Sequence, residues 1–224
     1  MDKKRYKCLH DLPLFSGTDN ITFPMICRAA KKQVIKKGDI LFNQGDPADV
    51  LFYIKEGSLK LVKITEAGEA VIIQIVGAGE MIGETALFRE NIFSPTSAIA
   101  LGNVKICSLS RHSFEQVIMN EPKIAFQIIK ALGERLDDTW EKITQLNTQT
   151  TREKVISLFI GMAQEHGVPC QEGTLINIRL TQQDIASMVG SSRVMVSQVI
   201  QKLIKCSYIA RKNKFYVLKS ICSF

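Results

Sequence analysis

Between Ser191 and Lys202 the chain sets Ser191, Ser192, Arg193, Ser197, Gln198 and Lys202, side chains that all donate hydrogen bonds. Hydroxyl, amide, guanidinium and ammonium groups in such density do recognition, because they pair with phosphate oxygens and base edges. Val196, Val199, Ile200 and Leu203 are interleaved with them at helical spacing, so one helix would bury the apolar set and turn the donors outward. No cluster elsewhere suits bond-making. Cys8, Cys27, Cys107, Cys170, Cys206 and Cys222 contain no Cys-x-x-Cys pair and read as free thiols. No nucleophile–base motif or metal-ligand spacing is found, so neither an enzyme nor a metal site is expected.

A donor-bearing helix needs a partner to hold it. Thr181-Gln182-Gln183-Asp184 opens one, with Thr181 as N-cap and Asp184 at the positive end of the helix dipole. Ile185, Ala186, Met188 and Val189 face inward, Ala186 is small where two helices would cross, and Gly190 suits a turn. Leu175–Leu180 reads as a strand, His166–Gly173 as a loop, and Tyr208–Val217 as a hairpin with a basic tip. The pattern is a helix-turn-helix with a wing. Residues 150–224 carry 10 Lys and Arg against 4 Asp and Glu, and from Gly173 onward 8 stand against Asp184 alone. Residues 1–149 are nearly balanced, 19 against 18. A surplus concentrated in one small domain is the footprint of a polyanion partner, here double-stranded DNA. The candidate contacts are Thr181, Gln182, Ser191, Ser192, Arg193, Val194, Ser197, Gln198, Lys202 and Lys212.

The remaining two thirds of the 224 residues divide by period. From Val34 to Ser110, short apolar runs (Ile40–Phe42, Val50–Ile54, Leu59–Ile64, Ala70–Val76, Ala98–Ala100) alternate with glycines, as in a β-barrel or sandwich. Leu59 to Val76, turning at Glu66-Ala67-Gly68, is the clearest hairpin. After Asn120 the period becomes helical. Ala125, Ile129, Leu132, Leu136, Thr139, Ile143, Leu146 and Thr150 keep a 4-3 spacing that predicts a dimer seam. The fold class is α+β, with a sensor domain at 1–120, a dimerisation helix at 121–149 and a DNA-binding domain at 150–224. Apolar runs are too short to span a bilayer and the N-terminus lacks a secretory pattern, so the expected home is the cytoplasm.

Several strings together are specific: Pro13-Leu14-Phe15, Lys37-Gly38-Asp39, Gln44-Gly45-Asp46, Gly57-Ser58-Leu59-Lys60, Gly79-Glu80-Met81-Ile82-Gly83-Glu84, Arg152-Glu153-Lys154-Val155 and Thr181–Leu203. Over nearly its whole length the chain resembles the CRP/FNR superfamily of bacterial transcription regulators. The resemblance implies a cyclic-nucleotide-binding-type β-barrel (a double-stranded β-helix), a long dimerisation helix and a C-terminal winged helix-turn-helix. It also implies palindromic DNA and RNA polymerase as partners, the latter by analogy at the His166–Gly173 loop. Family recognition helices often read Arg-Glu-Thr-Val-Ser-Arg, where this chain has Arg193-Val194-Met195-Val196-Ser197-Gln198. Valine offers only apolar contact, as to a thymine methyl, and glutamine suits adenine, so a half-site richer in A·T is expected.

The sensor end departs from the pattern. Gly83-Glu84-Thr85-Ala86-Leu87 resembles a phosphate-binding cassette, but Thr96-Ser97 stands where the family's Arg-Ser pair takes the cyclic phosphate. Arg89 lies too early to replace it, and an anion would lack its charge-assisted partner. Thr139 and Trp140 fall at dimer-helix positions that touch the nucleotide base in relatives. The candidate effector residues are Gly83, Glu84, Thr85, Ala86, Thr96, Ser97, Thr139 and Trp140. The expected effector is an uncharged or weakly acidic small molecule in place of cyclic AMP. A cyclic-nucleotide-responsive regulator, haem on His10, His112, His166 or a cysteine, and thiol redox sensing are the alternatives.

Overall fold

A computed structural model describes residues 30–84 and 92–219. Cys8, His10, Pro13-Leu14-Phe15, Cys27, Thr85, Ala86, Arg89, Cys222 and the side chain of Leu146 lie outside the described residues. The chain divides between Asp138 and Thr139 into two compact units.

Strands β1 (Lys31–Ile35), β2 (Ile40–Phe42), β3 (Val50–Glu56), β4 (Leu59–Ile64), β5 (Ala70–Val76), β6 (Met81–Ile82), β7 (Ser97–Ala100) and β8 (Val104–Ser110) build the first unit. They form two antiparallel four-stranded sheets, ordered β1-β8-β3-β6 and β2-β7-β4-β5. Alternating residues point between the sheets, and Ile54, Leu59, Leu61, Val76, Ile82, Ala98, Ala100, Val104 and Ile106 form the buried core. The expected hairpin is present, with the Thr65 amide donating to the Glu69 carbonyl across the turn. Strands β1, β6 and β8 were not among the expected apolar runs. Val104–Ser110 is the central partner of both β1 and β3 despite Lys105 and two serines.

Helix α1 (Arg111–Asn120) is capped by Ser110, whose hydroxyl accepts from the Ser113 amide, and α2 (Pro122–Thr148) follows. A second cluster joins Phe114, Val117, Ile124 and Ile128 of these helices to Leu51, Tyr53, Cys107 and Leu109, and so fixes the start of α2 to the barrel.

The second unit holds α3 (Thr151–His166), β9 (Gly167–Cys170), β10 (Gly173–Ile176), α4 (Gln182–Val189), α5 (Arg193–Lys205), β11 (Ile209–Lys212) and β12 (Phe215–Lys219). Its antiparallel sheet runs β11-β12-β10-β9. The expected loop at His166–Gly173 is a hairpin instead. Gly167 and Pro169 read as loop residues, yet β9 is an edge strand, where a missing N–H is tolerated. The expected strand at Leu175–Leu180 begins at Gly173 and ends at Ile176. Phe159 of α3 meets Tyr216 of β12 edge-on at 5.0 Å and ties the helices to the sheet. Among the described residues no helix is long and apolar enough to cross a membrane.

Candidate nucleic-acid interface and effector cavity

Helices α4 and α5 form the expected pair. Thr181 accepts from the Asp184 amide at 3.1 Å, and the Asp184 carboxylate accepts from the Thr181 amide at 2.9 Å and hydroxyl at 2.7 Å. This capping box satisfies two orphan helix groups reciprocally. It commits the Thr181 hydroxyl, expected on DNA, to the helix end. Thr181→Ala should lower stability by about 1–3 kcal/mol, since a cap is lost and the buried Asp184 loses a donor. Denaturant unfolding measures this, and Thr181→Ser should restore most of it. Gly190 ends α4 in the left-handed conformation (φ 62°, ψ 45°), which glycine adopts without a Cβ penalty.

The turn serines also have structural duties. Ser191 lies 3.3 Å from the Thr151 hydroxyl of α3, and Ser192 caps α5 by accepting from the Met195 amide. Val196, Ile200 and Leu203 are buried, which leaves Arg193, Val194, Gln198 and Lys202 outward and Ser197 half-buried. The outward face also carries Met195, Gln201 and Lys205, which the sequence reading passed over. Val194 is 66% exposed and Met195 48%, an unusual apolar surface for the first turn of a helix otherwise edged with cations. In β11–β12, Arg211, Lys212, Asn213 and Lys214 are exposed around a turn that Asn213 makes at φ 57°. From Gly173 onward the chain's one acidic residue is Asp184, buried in its cap.

The first unit holds a cavity of about 270 Å³ that opens to solvent, lined mainly by apolar side chains such as Phe42, Val50, Phe52, Leu61, Ile73 and Ile82. Gly83, Glu84 and Thr96 line it as expected, and Arg135 of α2 also reaches it. Arg135 donates to Glu84 at 2.5 Å and to Gln74 of β5 at 2.8 Å. The expectation that no cation serves this pocket is therefore corrected. The cation comes from the long helix, 51 residues beyond Glu84, where a scan of the cassette does not look. Its charge is already balanced by Glu84. Ser97 accepts from the Gln44 amide at 2.8 Å and so holds the β2–β3 connection. Burial and the Glu84 charge push the Tyr53 phenol well above its ordinary range, so it stays neutral in the cluster that joins the helices to the barrel. At Gly83 φ is +85°, and a Cβ would collide with the Val50 carbonyl, which keeps the cassette backbone close to β3.

On α2, Phe126, Ile129, Leu136, Trp140 and Ile143 are exposed, and Gly133 faces open space. These residues keep a 3-4 spacing along the helix. Ile129, Leu136 and Ile143 belong to the expected seam. Leu132, placed there from sequence, packs partly against the barrel core, and Thr139 is exposed beside the apolar stripe. Gly133 and Trp140 occupy the alternate positions. Cys107 is buried, Cys170 half-buried and Cys206 exposed. Among the described residues no group of three His, Cys, Asp or Glu side chains is arranged to hold a metal.

Residues 32–121 match the cyclic nucleotide-binding domain, and residues 153–220 match the Crp-like helix-turn-helix domain. The global nitrogen regulator of Nostoc sp. is 26% identical over 191 residues, 84% of this chain and 86% of that one. A CRP-like cAMP-activated global transcriptional regulator of Mycobacterium tuberculosis is 25% identical over 203 residues, 90% and 89% of the two chains. Among solved structures, the c-di-GMP responsive regulator CLP of Xanthomonas campestris superposes with a TM-score of 0.77 at 23% identity, over 90% of this chain and all of that one.

Proposed function

Because the chain belongs to the CRP/FNR family of transcription regulators, with its cyclic nucleotide-binding and helix-turn-helix domains, we propose that it acts as a homodimer on two-fold symmetric DNA. An effector in the barrel cavity sets its affinity for that DNA. The observation that carries this reading is the outward face of α5. Arg193, Gln198 and Lys202 stand exposed on a domain in which 10 Lys and Arg face 4 Asp and Glu. Its relatives are named as regulators and not as enzymes, and regulation by DNA contact needs no reacting group. RNA polymerase is the further partner that family analogy supplies.

Val194 and Gln198 favour half-sites enriched in A·T, through a thymine methyl and the adenine edge. The effector is an uncharged or weakly acidic small molecule. Most of the cavity wall is apolar, and the charge of Arg135 is already balanced by Glu84. A cyclic nucleotide would have to share that charge with Glu84, whose carboxylate repels its phosphate.

Selection of bound duplexes from a random pool, followed by affinity measurements across a salt series, tests the reading. The expected outcome is a palindrome with A·T-rich arms and a log–log salt slope of several units, through counterion release. A slope near zero would remove the DNA function. Emergence of the family's usual half-site would remove the A·T assignment alone.

A further inference from the structure

We propose that Arg179, outside the helix-turn-helix pair, is a second phosphate-binding point on DNA, held in place by the wing residue Phe215. This rests on the DNA-binding reading above. Arg179 lies in the short connection between β10 and the cap of α4. Ile178 and Leu180 on either side are buried, so the backbone is pinned while the Arg179 side chain is exposed. Its guanidinium sits 5.6 Å over the Phe215 ring, in the range of a cation–π contact.

Phe215 begins β12 directly after the wing turn and pairs in register with Lys212 of β11. Residues directly opposite on an antiparallel pair share one face. Arg179 and Lys212 therefore stand on the same side of the hairpin, next to Lys214 at its tip. Arg211, opposite Tyr216, belongs to the other face. Cations gathered on one face repel each other, which a polyanion relieves. The stack restricts a long side chain before contact, so less rotamer freedom is lost on binding. A planar guanidinium also leaves its N–H fork free at the ring's edge for two phosphate oxygens. The ligand class is a backbone phosphate flanking the bases that α5 reads.

The full-length protein can be titrated onto its selected duplex and onto a scrambled one, by fluorescence anisotropy at several salt concentrations. Arg179→Gln should weaken both by the same factor, roughly 3- to 10-fold near 0.1 M salt, and lower the salt slope by about 0.9 per site. Thermal melting should be unchanged. Phe215→Leu, which keeps apolar bulk but removes the ring, should cost a smaller factor and leave the slope intact, since the charge remains. Unchanged affinity and slope in Arg179→Gln would overturn the proposal. Weakening confined to the selected duplex would overturn it too, as that marks base reading. If the wild-type protein itself shows no salt-dependent duplex binding, the DNA reading fails first and this assignment falls with it.

Discussion

Leu136→Glu is expected to leave the protein monomeric at micromolar concentration and to weaken binding to a symmetric duplex by about 100-fold or more. Phe126, Ile129, Leu136, Trp140 and Ile143 are 49–73% accessible, Leu136 being the least exposed of them. Covering what is still exposed would gain about 1–2 kcal/mol at each. A second copy of α2 is the cover that the 3-4 spacing fits. In a parallel two-stranded coiled coil the seam residues face their own copies, so one substitution places two carboxylates in the same apolar seam. The cost of burying them exceeds what the neighbouring contacts return. DNA affinity then falls without any change in α5, because the second half-site is no longer delivered at high local concentration. Binding to a single half-site duplex should be nearly unaltered. Sedimentation and anisotropy measure the two effects, and the emission of Trp140, the one tryptophan, should shift to the red as its face is uncovered. A Leu136→Glu protein that stays dimeric and binds the full site normally would remove α2 as the seam.

The helix itself was legible in the sequence because its apolar period persists from Ala125 to Leu146, although Thr150, which extends the same spacing, caps the next helix instead. Its phase was harder, since α2 carries apolar residues toward two partners. Ile124, Ile128 and Leu132 meet the barrel, and a period near 3.5 cannot say which of two adjacent stripes stays open. The helix-turn-helix was the most legible part. Thr181, Asp184 and Gly190 each have a local reason to be where they are, and all three act as expected. What was lost there is finer: Ser191 and Ser192 look like DNA contacts by type, yet their neighbours in space engage them first. Strand β8 was missed because lysine and serine break its alternation, although its apolar members Val104, Ile106 and Leu109 are all buried. Arg135 and Arg179 have no local signature at all. Each acquires its role from a partner far along the chain, Glu84 and Phe215 respectively.

Arg135→Met should destabilise the first unit by about 1–3 kcal/mol, and Glu84→Gln in the same background should recover much of the loss. The Glu84 side chain is 11% exposed and that of Arg135 32%. Removing the cation therefore strands a nearly buried carboxylate, whereas the arginine itself is wet enough that its own loss costs little. That asymmetry lowers the figure from the 3–5 kcal/mol of a fully buried pair. Gln74 loses a donor as well. With glutamine at position 84 no charge remains to be stranded, and the amide can bond to Gln74 or to water entering the cavity. Denaturant unfolding of the wild type, both single variants and the double variant gives the coupling directly. The same four proteins test the link to DNA. Arg135 joins the cavity wall to α2, so a ligand acid that draws it from Glu84 acts on the helix that carries the apolar stripe. A coupling of about 1–3 kcal/mol would appear as a 5- to 150-fold change in DNA affinity when Arg135 is released by Glu84→Gln or removed. Additive stabilities and identical DNA affinities across the four would show that the pair neither holds the cavity nor reports its occupancy.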